Sequence, residues 1–307
     1  EPNMLLLDMA EYALDGGTYM PEEEILRIDN AVRKVLGIPP RRKEVTQPYL
    51  IESEEISHSL KLRFHIFSEI EGVHTQLALE DLDETQIWLN GDAAEIRVCG
   101  WYVDQSIQKT ALPGLKAGEN ILEIKVPVGK RTNLENYYLL GDFGVRINGM
   151  EKTLISPVRR LGFGDITSQG LPFYTGNIFY QFRVAVDKET KIRIPRYRGA
   201  LMKVYADGKE QGRVAFSPYE IELTQLSPGE HEIAIELFGT RQNGFGQLHH
   251  TPGLWFYQSP NSWRSTGLRW SYEYQLKEAG ILRSPEIYGG RWIPEGAVEN
   301  GFHVQKD

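Results

Sequence analysis

The chain has 307 residues, 41% hydrophobic and 25% charged, with a formal net charge of −8. That length suits two ordinary domains with globular composition, and the acidic balance argues against a nucleic-acid partner. A single cysteine excludes an intrachain disulfide while leaving an exported, secreted or periplasmic location open, and no run of 18 apolar residues exists to span a membrane.

The chain opens Glu1-Pro2-Asn3, with neither an initiating Met nor a signal peptide, and reads as a processed chain or a piece of a longer one. Met4 to Met9 reads as a short buried strand. Pro21 to Leu36 is predicted as a helix. Pro21 suits its first position, and Glu22, Glu23 and Glu24 suit the positive end of its dipole. Ile25, Ile28, Val32 and Val35 share a face, and Gly37 with Pro39-Pro40 ends the helix. Arg41-Arg42-Lys43, like Arg196 to Arg198, reads as solvated charge.

From about residue 56 the period becomes two. Leu60, Leu62, Phe64 and Ile66 alternate with Lys61, Arg63 and His65, the pattern of a half-buried strand. Strands are expected at residues 76–79, 85–89, 94–98, 106–112 and 121–126. Asn90-Gly91 is a strong hairpin signal, and Cys99 reads as a small core residue. A second series begins with Ile178, Tyr180, Phe182, Val184 and Val186. It continues at residues 191–194, 201–206, 213–216, 219–223, 232–237 and 271–276. Many short strands with turn signals point to sandwiches or barrels.

The two series repeat one another. Ile87-Trp88-Leu89-Asn90-Gly91 corresponds to Val204-Tyr205-Ala206-Asp207-Gly208, and Leu115-Lys116-Ala117-Gly118-Glu119 to Leu226-Ser227-Pro228-Gly229-Glu230, at offsets of about 110 to 117 residues. An alternating strand follows each: Leu122, Ile124 and Val126 in one copy, Ile233, Ile235 and Leu237 in the other.

This order of strand, Asn/Asp-Gly turn, strand, Leu-x-x-Gly-Glu and strand resembles the galactose-binding-like jelly roll, in particular the sugar-binding and accessory domains of family 2 glycoside hydrolases. In the second copy, Gly176 to Phe182 resembles the opening strand and Ser217-Pro218-Tyr219 a later one. The first copy has Trp101-Tyr102-Val103-Asp104 at that step. The strings Tyr138 to Val145, Gln169 to Tyr174 and Gly239 to Asn243 resemble C-terminal parts of large bacterial glycoside hydrolases. The likeness covers roughly residues 50 to 280. It implies a mainly all-β fold: two tandem antiparallel β-sandwich jelly rolls, at 49–150 and 151–285, after a helical linker segment at 1–48 and before a C-terminal tail at 286–307. The function it implies is a non-catalytic accessory region that binds or positions a polysaccharide beside the catalytic domain of the same parent chain, with no nucleic-acid or membrane partner. Part of a glycosidase site, or a purely structural module, are the alternatives. Jelly rolls of this kind often hold a structural calcium through backbone carbonyls and Asp or Asn, but no EF-hand loop is present and the spacing places no ligand.

Candidate chemistry is sparse. Glycosidases use paired carboxyl groups, and Asp104, Glu135, Asp142 and Asp165 could be proposed, yet with 42 acidic residues any pair could. Asp142 and Asp165, flanked by glycines, read as turn residues. Adjacent His249 and His250 read as a polar pair in a loop, since zinc ligands usually share a face. Sugars stack their C–H faces on aromatic rings and hold their hydroxyls on planar polar groups. The candidates of that type are Trp101, Tyr102 and Asp104, and, in the Gly/Pro-broken stretch 241–270, Arg241, Asn243, Trp255, Trp263 and Arg264. Each Trp could instead pack its loop onto the sandwich.

Overall fold

The computed structural model describes residues 1–40, 56–132, 134–251 and 265–293. The protein is all-β in the main, and the chain divides into two compact units. The first unit is Asn3–Ser156 with Gln247–Gln275; the second is Glu1–Pro2, Pro157–Gly246 and Leu276–Asp307.

The first unit contains β1 (Asn3–Leu7), β2 (Met9–Leu14), β3 (Met20–Glu24), α1 (Ile25–Leu36), β4 (His58–Ser68), β5 (Val73–Leu79), β6 (Gln86–Leu89) and β7 (Asp92–Ala94). It continues with β8 (Val98–Tyr102), β9 (Asp104–Leu115), β10 (Gly118–Val128), β11 (Tyr137–Gly141), β12 (Gly144–Asn148) and β13 (Glu151–Ile155). One sheet runs β1-β11-β5-β9-β8. The other runs β12-β13-β4-β10-β6-β7, with β2 also on β4 and β3 on β2. All pairings are antiparallel except β13 with β4. The apolar half of the β4 alternation, Leu60, Leu62, Phe64 and Ile66, is buried, and Phe64 meets Tyr137 of the facing sheet edge-on at 5.5 Å. That is the sandwich core the period-two pattern requires.

Four local expectations change. Residues 20–24 are strand, so α1 starts at Ile25, capped by the Glu24 carboxylate accepting from the Arg27 N–H. Pro21 is tolerated there because β3 pairs on one side only, leaving an edge where a missing N–H breaks no ladder. Ile25, Ile28 and Val32 are buried, but Val35, in the last turn of the helix, is exposed. Cys99 is exposed rather than core: β8 is an edge strand whose register slips on both sides of Trp101, which breaks the inward-outward alternation. Residues 95–97, expected as strand, lie between β7 and β8.

The second unit holds β14 (Ile178–Arg193), β15 (Tyr197–Arg198), β16 (Met202–Ala206), β17 (Lys209–Val214), β18 (Glu220–Glu222), β19 (Gly229–Leu237), α2 (Gln242–Phe245), β20 (Gly280–Ile281) and β21 (Glu286–Trp292). Its main sheet runs β17-β16-β19-β14-β18 with β21 added to β14, and β15 pairs β20 separately. Leu161, Phe163, Ile166, Leu171, Tyr174 and Ile281 cover the apolar face of that sheet. Residues 286–292, read from sequence as the start of a tail, are thus a sheet strand. A register shift opposite Val186 to Lys191 hides their periodicity. Residues 271–276, expected as strand, form none.

The repeat is real in three dimensions. The order β4-β10-β6-β7 in one unit matches β14-β19-β16-β17 in the other. Leu122 sits opposite Phe64 and Leu89, and Ile233 opposite Phe182 and Ala206. Both hairpins turn through two positive-φ residues, Asn90-Gly91 and Asp207-Gly208, as tight hairpin turns demand. Each turn is clamped to the next strand in the same way. Asn90 accepts from the Ile121 N–H and donates to Asn120, which donates to the Lys116 carbonyl. Asp207 accepts from the Glu232 N–H and bonds His231, whose other ring nitrogen bonds the Ser227 carbonyl. One geometry is built twice, once from neutral amides and once from an ionisable pair.

Candidate functional site

The first unit carries a fork in its larger sheet. On the edge of β4 away from β10, β2 pairs residues Leu60 to Arg63 and β13 pairs Phe67 and Ser68. Between them, Phe64 to Ile66 have no strand partner on that edge among the described residues. The diverging strands leave a groove of ≈ 1010 Å³, a volume at the upper end of the ligand-pocket range. Its wall includes Phe67 (47% exposed) and Met150 (40% exposed) beside Arg146 and Asn148. The Arg146 guanidinium is ion-paired with Glu69. His65 bonds Glu119 at 2.8 Å; burial works against its charge, but Glu119 and Glu11 outweigh this and hold its pKa above the ordinary value.

Lys152 lines the groove and is held by a buried polar network. Its ammonium donates to Asp8 Oδ1 (2.7 Å), the Tyr274 hydroxyl (2.6 Å) and the Leu6 carbonyl (2.7 Å). Tyr274 donates to the same Asp8 oxygen at 2.6 Å, and His249 Nε2 reaches Asp8 Oδ2 at 3.1 Å. Asp8 is 1% exposed, and burial alone would raise its pKa. The charge of Lys152 and the His249 hydrogen bond reverse that and hold it well below the carboxylate range. His249 is correspondingly raised against its burial, through Asp8 and the Ser271 carbonyl. Its ring stacks on Trp270 at 4.9 Å, and the Arg27 guanidinium lies 4.8 Å over that indole. A buried carboxylate with three charged or polar donors is a satisfied ion cluster, which resists loss of any one member.

The described sequence candidates are divided between the two units. Trp101 is 52% exposed on edge strand β8, and Asp104 is exposed, its carboxylate turned onto Ser106. Tyr102 is 5% exposed, packs against Tyr138 and belongs to the core. Arg241 and Asn243 fall in the second unit. Arg241 bonds Glu1 and Thr175, while Asn243, buried, brackets the Lys277 backbone through both its amide N–H and its carbonyl. Trp255, Trp263 and Arg264 lie outside the described residues. Asp165 caps a 3-10 turn, as its glycine flanks suggest. His249 and His250 do lie in a loop region, but both are buried. Among the described residues no group of three or more His, Cys, Asp or Glu is arranged for a metal ion. Sequence reasoning missed Asp8, Glu24 and Lys152. The available signal was Asp8 itself, an acid within the run Met4-Leu5-Leu6-Leu7-Asp8-Met9, where burial obliges a partner.

No family model and no curated protein matches the chain. Among solved structures, a rhamnosidase from Novosphingobium sp. PP1Y is 12% identical with a TM-score of 0.29, over 94% of this chain and 25% of that one. A β-D-mannosidase from Dictyoglomus thermophilum is 13% identical with a TM-score of 0.28, over 81% and 32%. A glycosyl hydrolase family 2 member from Bacteroides cellulosilyticus DSM 14838 is 10% identical with a TM-score of 0.27, over 78% and 32%. The chain spans between a quarter and a third of the length of these proteins. The resemblance is a weak one at the level of fold, and it assigns neither an activity nor a site.

Proposed function

We propose that the chain is a non-catalytic, carbohydrate-binding accessory region of a larger glycoside hydrolase, and that it holds a polysaccharide in the fork groove of the first unit. The groove itself carries this reading. It offers an exposed aromatic ring, Phe67, in the same lining as the planar polar side chains of Arg146 and Asn148. A pyranose needs that combination: an apolar surface for its C–H face and rigid donors and acceptors for its hydroxyls. The parent enzyme rests on the sequence likeness over residues 50 to 280.

The test is retention of the isolated chain on immobilised polysaccharides and a glycan array. Wild type is expected to be retarded by at least one glycan, and Phe67→Ala to lose at least about tenfold in affinity with an unchanged melting temperature. No retention at millimolar saccharide would leave a bracing role and sink the binding role.

A further inference from the structure

The charge of the fork groove selects among sugars. Its described lining carries the carboxylates Glu11, Glu22, Glu69, Glu151 and Glu273 against His65, Arg146 and Lys152. Every one of those cations is already committed: Arg146 to Glu69, Lys152 to the buried Asp8, and His65 to Glu119 and Glu11. Glu22, Glu151 and Glu273 are exposed and have no ion-pair partner among the described residues. An entering ligand therefore meets three uncompensated negative charges within one concavity and, among the described residues that line it, no free cation, where like charges repel and an opposite charge is drawn in.

We infer that the groove takes glycans bearing free amino groups, the amino-sugar class, and rejects uronic-acid and sulfated glycans. This rests on the proposed glycan-binding function of the same groove. The ammonium of such a sugar replaces the missing cation, pairing with Glu151, Glu273 or Glu22 while the ring lies on Phe67. The three carboxylates reach the groove from different segments: Glu22 in β3, Glu151 in β13 and Glu273 between Trp270 and Tyr274.

The experiment is calorimetric titration of the full chain with a fully deacetylated glucosamine tetramer, its N-acetylated counterpart and a galacturonic acid tetramer at low salt. The glucosamine tetramer is expected to bind at least about tenfold tighter than the N-acetylated one. The gap should shrink severalfold by 0.5 M salt, roughly, because exposed charges are screened, and the galacturonate should not bind. Glu22→Gln, Glu151→Gln and Glu273→Gln together should erase the preference. The same charge removal at Glu95→Gln, Glu210→Gln and Glu230→Gln, all exposed and off the groove, should leave it intact. Equal binding of the two glucosamine tetramers, binding of galacturonate, or equal loss in the control triple would each overturn the inference. If neutral glycans bind without an amine preference, only the inference falls. If no glycan of any charge binds, the proposed function falls with it.

Discussion

Replacing Glu24 by Gln should stabilise the fold, and only toward neutral pH and above. Glu24 is 4% exposed, wedged between the network around Asp8 and the first turn of α1. Burial is the main cause that pushes its pKa from 4.5 to about 7, and the Asp8 charge adds to this. The Leu26 and Arg27 N–H groups and His249 pull the other way. A folded-state pKa raised above the unfolded one means that the folded state holds its proton longer. Below pH 4.5 both states are protonated and nothing is lost. Between 4.5 and 7 the unfolded chain ionises first, so stability falls as pH rises, and above 7 the whole penalty is present. At ~1.4 kcal/mol per pH unit of displacement, the penalty is of order 3 kcal/mol. Gln keeps the acceptor that caps the Arg27 N–H at 3.1 Å but has no charge to bury. Urea unfolding at pH 4 and pH 8, extrapolated linearly, is expected to show little difference at pH 4 and a gain of about 2–3 kcal/mol for Glu24→Gln at pH 8. An equal effect at both pH values, or a less stable variant at pH 8, would refute this account of Glu24.

Asp8→Asn should lower stability by about 3–5 kcal/mol, because it removes the carboxylate that partners Lys152 and the His249 ring in the interior, and the loss should appear as a depressed melting temperature. The two turn clamps should differ in pH response. His231 is raised by Asp207 and the Ser227 carbonyl, so its contribution is complete below its unfolded pKa near 6.5 and fades as pH rises through the folded value. Asp207 is lowered, so its contribution holds above about 3.8 and fades in acid. The double variant Asp207→Asn/His231→Asn, which copies Asn90 and Asn120, should flatten the stability profile between roughly pH 6 and 8 at a change of ~1 kcal/mol or less. A profile unchanged from wild type in melts across that range would contradict it. Asn243→Ala should lower the melting temperature by removing both Lys277 hydrogen bonds, without altering glycan retention; a loss of retention at unchanged stability would return Asn243 to the list of ligand contacts.

Much of the fold was legible because it is written locally. Leu60 to Ile66 alternate and bury alternately, and Asn90-Gly91 and Asp207-Gly208 turn where their left-handed backbone requires. Errors cluster where the local rule is broken by a neighbour strand. Cys99 sits beside two register slips, residues 286–292 beside another, and Pro21 where an edge strand displaced the helix start.

The sequence by itself therefore determined a repeated β architecture, with its hairpins and the buried face of its central strands, since period two and turn chemistry act over a few residues. Only the tertiary structure decided the site. The fork exists because β2 and β13 reach the same edge of β4 from distant parts of the chain. Asp8 meets Lys152, His249 and Tyr274 across separations of 144, 241 and 266 residues. Pairings at that range are set by how the sheets close on one another, and no periodicity in the chain encodes them.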